Sequence, residues 1–337
     1  MKPRVLAGAS VAAADGISVT ATMAMNAEAA WTSTWNVSAS GFGPSQRLST
    51  SAPAATPVVA VTPGGTAMAA GTEIRGGNWY AVARRLELDG TLGAPITLGS
   101  GSAEKPAVGV DRSGRFVVAR ARASDVVARR ITSTSVSSTK VLTSPIASYG
   151  GFGMVRVGVD RDGDAVVSYH SGGGARSQVS ASRWSRTDTL EAPLRTSAST
   201  DNVGFQHALA TDLDGDSMIV WTRYGSGTLE SLGRRLSAAG ARGAVTGLGL
   251  GDRPDLALDD DGDGMLVFHT VVPKSTPPYS YTKADARLIS RSGTFGTGRT
   301  LMSDGRVPQV DTRPTARFTV IWQQESFPYT IKSVSGP

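Results

Sequence analysis

A fifteen-residue pattern recurs along the chain and restricts its fold more than any other feature. It reads PAVGVDRSGRFVVAR from Pro106, VRVGVDRDGDAVVSY from Val155, HALATDLDGDSMIVW from His207, PDLALDDDGDGMLVF from Pro254 and PQVDTRPTARFTVIW from Pro308. A weaker copy, PVVAVTPGGTAMAAG, starts at Pro57. Subtracting successive start numbers gives spacings of 49, 49, 52, 47 and 54 residues. A period of this length marks a repeated supersecondary unit.

Each copy opens on an alternating apolar run, such as Ala107-Val108-Gly109-Val110, which predicts a short strand. An Asp-x-Asp/Ser-Gly turn follows, where Gly supplies the positive φ and Asp folds back onto nearby amides. A second strand ends in a large residue at one offset: Arg120, Tyr169, Trp221, Phe268 and Trp322. A third strand (Val82 to Leu86, Leu232 to Leu236) and a Gly turn (Asp89-Gly90, Ala239-Gly240, Ser292-Gly293) come next. A last short strand closes the unit, as in Pro95 to Leu98 or Ala244 to Leu248. Four antiparallel strands in about 50 residues make a propeller blade. The predicted fold is therefore all-β: a six-bladed β-propeller of four-stranded antiparallel blades, over residues 30–337.

The last copy ends at Pro337 before a fourth strand, and Val37 to Ser49 resembles the tail of a repeat. The N-terminal strand is therefore expected to close the last blade. Trp31–Ser40 and Phe327–Ser335 both read as third strands, of which one is needed.

These units resemble the propeller repeats of secreted bacterial, especially actinobacterial, proteins, with a loose P-x-V-A-V-D-x-D-G-D-A-V-V-x-W pattern over residues 37–337. The resemblance implies the fold and little about activity.

The chain has no Cys, which excludes disulfides, thiolate metal sites and a Cys nucleophile. Its net charge is +6 and its pI about 9.8. The cations are scattered, with no basic run longer than two residues, so no nucleic-acid partner is expected. Lys2 and Arg4, the apolar stretch Val5 to Ala14, and Ala27-Glu28-Ala29 read as a signal peptide over residues 1–29, with Asp15 opposing insertion. A secreted, extracellular product is expected. No run approaches 18 apolar residues, so no membrane span is expected. The chain is expected to be a monomer.

Three turns are rich in carboxylates: Asp160, Asp162 and Asp164; Asp212, Asp214 and Asp216; Asp259, Asp260, Asp261 and Asp263. Alternating Asp places oxygen ligands on one side of a loop, which suits Ca²⁺. The copy at Asp111 keeps the turn after losing two carboxylates, which favours a structural role. No cofactor is expected, with Ca²⁺ as the alternative.

His170 and His269 share one offset, and His207 opens the first strand of its copy. Hairpin geometry brings all three to the face opposite the Asp turns, and Trp221, Thr222 and Arg223 project near the same edge. His170, His207, Trp221 and His269 are the candidate ligand-binding residues. Arg85, Arg130, Arg183, Arg235 and Arg287 recur in third strands and suggest ties between blades. No nucleophile elbow, P-loop, dinucleotide fingerprint or H-E-x-x-H motif is present, so catalytic residues stay unknown. The favoured function is a non-catalytic binding module for a glycan or protein. The alternatives are an extracellular glycan-active hydrolase or lyase, and a structural envelope protein.

Overall fold

A computed structural model of the chain describes residues 9–13, 18–25, 29–36, 41–42, 46–50, 54–87, 89–100, 106–122, 124–143, 155–171, 177–225, 228–273, 280–303, 305–312, 318–324 and 331–336. Every regular element among them is a strand, and no helix is long and apolar enough to cross a membrane.

The first sheet comprises β1 (Ala9–Ala13), β2 (Ser18–Met25), β3 (Ala29–Asn36), β4 (Gly41–Phe42) and β5 (Gln46–Arg47), the last two both paired with β3. The six repeats then give six sheets in chain order. The second holds β6 (Ala54–Val61), β7 (Ala67–Arg75), β8 (Asn78–Leu86) and β9 (Ile96–Ser100). The third holds β10 (Ala107–Val110), β11 (Phe116–Ala121), β12 (Val126–Ile131) and β13 (Lys140–Thr143). The fourth holds β14 (Val155–Val159), β15 (Ala165–Ser171), β16 (Gln178–Trp184) and β17 (Leu194–Arg195). The fifth holds β18 (Val203–Thr211), β19 (Ser217–Gly225), β20 (Thr228–Leu236) and β21 (Thr246–Leu250). The sixth holds β22 (Asp252–Leu258), β23 (Gly264–Pro273), β24 (Ser280–Ile289) and β25 (Arg299–Met302), and the seventh β26 (Gly305–Thr312), β27 (Phe318–Gln324) and β28 (Ile331–Gly336). Strand order follows sequence order in each repeat sheet, and the strand pairs described are antiparallel.

One expectation is corrected here. Among the described residues the N-terminal segment pairs within the first sheet instead of closing the last one: Phe42 pairs with Trp35 and Arg47 with Trp31, both in β3, while residues 37–40 and 43–45 lie outside the described residues. Both third-strand candidates are used, as β3 and as β28. The reason is local. A fourth strand separated from β3 by a short loop meets that strand before any distant edge, and short loops cost least to close. The segment expected as a signal peptide contributes β1 and β2, while residues 1–8, 14–17 and 26–28, including Ala27 and Glu28 of the cleavage pattern, lie outside the described residues.

The strands fall into two contact units, Met1–Gly173 with Ser182–Pro193, and Gly174–Ala181 with Leu194–Pro337. In the first, β11 is buried on both faces. Phe116 and Val118 pack on Met68, Ala70, Ala83 and Leu98 of the second sheet. Val117, Ala119 and Ala121 pack on Val155, Val167 and Tyr169 of the fourth. In the second unit, Met218, Val220 and Leu248 meet Leu256, Leu266 and Phe268, and Val267 with Ala286 meets Val320 and Trp322. Tyr169, Phe268 and Trp322, each ending a second strand, thus share a core with the sheet before them. Arg120, Tyr169, Trp221, Phe268 and Trp322 are all buried. The equivalent position in the second sheet is Gly71.

The acidic turns are built as expected. Asp160 Oδ1 accepts the amides of Asp162 and Asp164, each at 2.9 Å. Asp212 holds Asp214 at 3.0 Å and Asp216 at 2.9 Å, and Asp259 holds Asp261 and Asp263 at the same distances. The fourth turn residue is Gly at φ 90° (Gly163), 88° (Gly215) and 87° (Gly262), a backbone that a Cβ would strain. The third carboxylate ties down the next turn. Asp164 accepts from Arg186 N at 2.7 Å, Asp216 from Ala238 N at 2.6 Å and Asp263 from Arg291 N at 2.6 Å.

Arg130 is an intersheet tie. Its guanidinium donates to the carbonyls of Gly163 (2.6 Å), Trp184 (2.9 Å) and Ser185 (2.9 Å) and lies 4.1 Å from the Trp184 ring centroid. Burial holds its pKa below the ordinary arginine value, partly offset by Asp164. The register corrects the expected arginine series. Arg85, Arg130 and Arg235 lie opposite Met68, Val117 and Met218, whereas Arg287 lies opposite Leu266, one position along and on the other face.

Candidate functional site

The sequence placed a ligand on His170, His207, Trp221 and His269. The register sets His207 directly opposite Trp221 in the β18–β19 pair, and both are fully buried. His207 stands where other copies carry Pro or Val, so it fills a core position. His269 lies opposite Asp252, with Nε2 3.9 Å from the carboxylate. His170 lies in β15, in the other contact unit, and is also buried. Desolvation, reinforced by the nearby Arg156 charge, lowers its pKa to about 4. These side chains therefore present little surface to a ligand.

Among the described residues no group of three or more His, Cys, Asp or Glu side chains is placed to hold a metal ion. In the acidic turns Asp160, Asp212 and Asp259 are buried, and desolvation raises the pKa of each carboxyl.

The partly exposed chemistry lies where second strands end, on the face opposite the Asp turns. In the fifth sheet Arg223 bridges two carboxylates, donating to Glu230 Oε2 at 2.6 Å and Asp201 Oδ1 at 3.2 Å. Glu230 is its cross-strand partner. Asp201 belongs to the loop before β18, and that loop is docked by Ala198 N on Asp201 (3.0 Å) and Tyr224 N on Asn202 O (2.8 Å). Glu230 first, then Asp201, raises the Arg223 pKa. The guanidinium side chain stays 37% exposed, and Tyr224 beside it is 45% exposed.

The second sheet repeats this arrangement. Glu73, fully buried, accepts Thr50 N at 2.8 Å, Thr50 Oγ1 at 2.7 Å and Arg75 Nε at 2.5 Å. Arg75 also donates to Thr97 Oγ1 at 3.1 Å and lies 5.3 Å from the centroid of Tyr80, the cross-strand partner of Glu73. Its side chain is 33% exposed. In the third sheet Arg122 pairs with Asp125 and is 38% exposed. Three sheets thus hold a one-third-exposed arginine, fixed by carboxylate, at the same end of the second strand. Sequence reasoning noted Arg223 at this edge but missed Asp201, Tyr224 and the second-sheet cluster. Their partners come from the preceding loop and the neighbouring strand, at no regular spacing.

A small cleft lies in the first contact unit beside the second-sheet cluster. It is lined by Leu48, Pro57, Ala69, Gly71, Val82 and Ala83, among others. It opens at the one repeat that carries Gly at the large-residue position.

No protein-family model matches the chain, and no curated protein matches it. Solved structures do. A polysaccharide lyase of family PL25, an ulvan lyase, aligns at TM-score 0.61 and 10% identity over 96% of this chain and 90% of that one. The Dos1 propeller aligns at 0.53 and 8% identity over 94% and 88%. The Aleuria aurantia lectin, in complex with Fucα1-6GlcNAc, aligns at 0.52 and 8% identity over 84% and 95%. At such identities the likeness establishes architecture, and the chain has the β-propeller fold.

Proposed function

We propose that this chain is an exported, non-catalytic propeller that binds glycan at the loop ends of its sheets. One observation carries the reading: arginines held by carboxylates recur at the ends of the second strands, each about one-third exposed, at Arg75, Arg122 and Arg223. A guanidinium whose orientation is fixed loses little entropy on binding and offers its remaining N–H donors in a fork. Tyr80 and Tyr224 add a flat apolar surface for a sugar ring. Carboxylate partners make each cluster neutral or negative, which suits hydroxyl groups better than a polyanion. The lectin and the ulvan lyase above, glycan proteins on the same fold, are compatible with this reading. A screen against neutral and anionic polysaccharides and cell-wall preparations tests it. Neutral polysaccharide should be retained, and Tyr224→Ala, at a side chain 45% exposed, should weaken retention at nearly unchanged melting temperature. Export is tested separately, by mass spectrometry of culture supernatant for a chain beginning near Ala30.

A second reading, a glycan-active enzyme, is favoured by the His269–Asp252 pair beside Arg253, a non-glycine residue at φ 51°. Backbone strain of this kind concentrates at functional sites. New reducing ends or unsaturated products, lost in His269→Gln, would support it over the binding module.

A further inference from the structure

We infer that the cleft at Gly71 is a subsite for the methyl group of a 6-deoxy sugar, a specificity that rests on the glycan-binding reading. Every other repeat fills this position with Arg120, Tyr169, Trp221, Phe268 or Trp322. Here the side chain is absent, and a cleft of about 20 Å³ remains. That is room for one or two water-sized groups, far too little for a sugar ring. It admits a methyl group or, more tightly, a hydroxymethyl group.

The lining chooses between them. The surface it exposes is mainly apolar, from Leu48, Pro57, Ala69, Val82 and Ala83, although Ser49, Thr72 and Arg84 also take part in the lining. A hydroxyl placed there exchanges its water for a surface with few polar atoms, whereas a methyl group gives up no hydrogen bond. Two strand positions beyond Gly71 on the same face stands Glu73, then Arg75, with Thr50 and Tyr80 around them. Arg75 donates to Thr50 at 3.2 Å, next to Ser49 of the lining, and to Thr97 at 3.1 Å, the cross-strand partner of Val82 of the lining, so its guanidinium stands beside the cleft as a donor for the hydroxyls of a sugar whose methyl enters it. Apolar floor and polar mouth together describe a deoxyhexose.

Titration calorimetry with paired probes tests this. Methyl α-L-rhamnoside and methyl α-L-fucoside are compared with the L-mannoside and L-galactoside, which differ only by the 6-hydroxyl. One deoxy sugar should bind about 10- to 100-fold more tightly than its hydroxylated partner, the range expected when one small group decides fit. Gly71 has no positive φ, so Gly71→Val fills the cleft without backbone strain. It should abolish the preference, and Ala69→Val, filling the cleft from two positions earlier on the same face of β7, should do the same if Gly71→Val folds poorly. Equal affinity within each pair overturns the subsite while leaving glycan binding intact. So does a preference that survives in both folded variants. Failure of the wild type to bind any glycoside or polysaccharide overturns the subsite and the glycan reading together.

Discussion

His170 should make this protein acid-sensitive in a defined window. Its pKa is lowered from the ordinary 6.5 to about 4, first by burial and then by Arg156. The unfolded chain takes up the proton as pH falls through 6.5, while the folded chain takes it up only near 4. The folded state is therefore fully favoured above pH 6.5 and loses stability as pH falls from there. A difference of 6.5 minus 4, at 1.36 kcal/mol per unit, amounts to ~3 kcal/mol. The perturbation is His170→Phe, which keeps a buried ring and removes the titration. Urea unfolding of both proteins between pH 7.5 and about pH 4.5 supplies the assay. Other groups, among them Asp160, Asp212 and Asp259 with their raised pKa values, titrate in both proteins and cancel in the difference. The variant should gain on the wild type by roughly 1.4 kcal/mol per pH unit below 6.5. A stability difference independent of pH, or an imidazole resonance titrating near 6.5, would refute the argument from burial.

Further outcomes follow from the same contacts. Arg130→Ala removes three charge-assisted hydrogen bonds and a stacked ring, and should lower unfolding free energy by ~2–4 kcal/mol, with Arg130→Lys recovering only part because a point charge cannot make the fork. Trp221→Ala should cost ~3–5 kcal/mol in denaturant unfolding, as expected for a fully buried aromatic, and an effect below 1 kcal/mol would contradict its core placement. Asp212→Ala strips the acceptor from two backbone amides and should cost ~1–3 kcal/mol, while Asp212→Asn, which keeps an Oδ1, costs much less. We expect added Ca²⁺ or chelator to leave the melting temperature unchanged. A calcium-dependent rise, lost in Asp214→Ala and Asp261→Ala, would convert these turns into ion sites.

Strands, turns and their repetition were legible in the amino-acid sequence because they rest on near neighbours. Alternation marks the strands, and Asp at one position with Gly three residues later marks a turn that its own carboxylate closes. The large residue at a fixed offset could likewise be read as packing, since equivalent sites in a repeat have equivalent surroundings. Tertiary structure decided what depends on distant partners. Gly41–Phe42 could pair with its own neighbour or with the last sheet, and only the folded chain sets it on β3. His207 read as a ligand-binding candidate on the face opposite the Asp turns, yet it occupies a buried slot that other copies fill with Pro or Val. Asp201, Arg223 and Glu230 are brought together from a loop and two strands, a grouping without periodicity in sequence. The Gly71 cleft is the clearest case. A missing side chain is visible in the alignment of copies, but whether neighbours close over the gap or leave it open is settled only by how rigid strands pack around it.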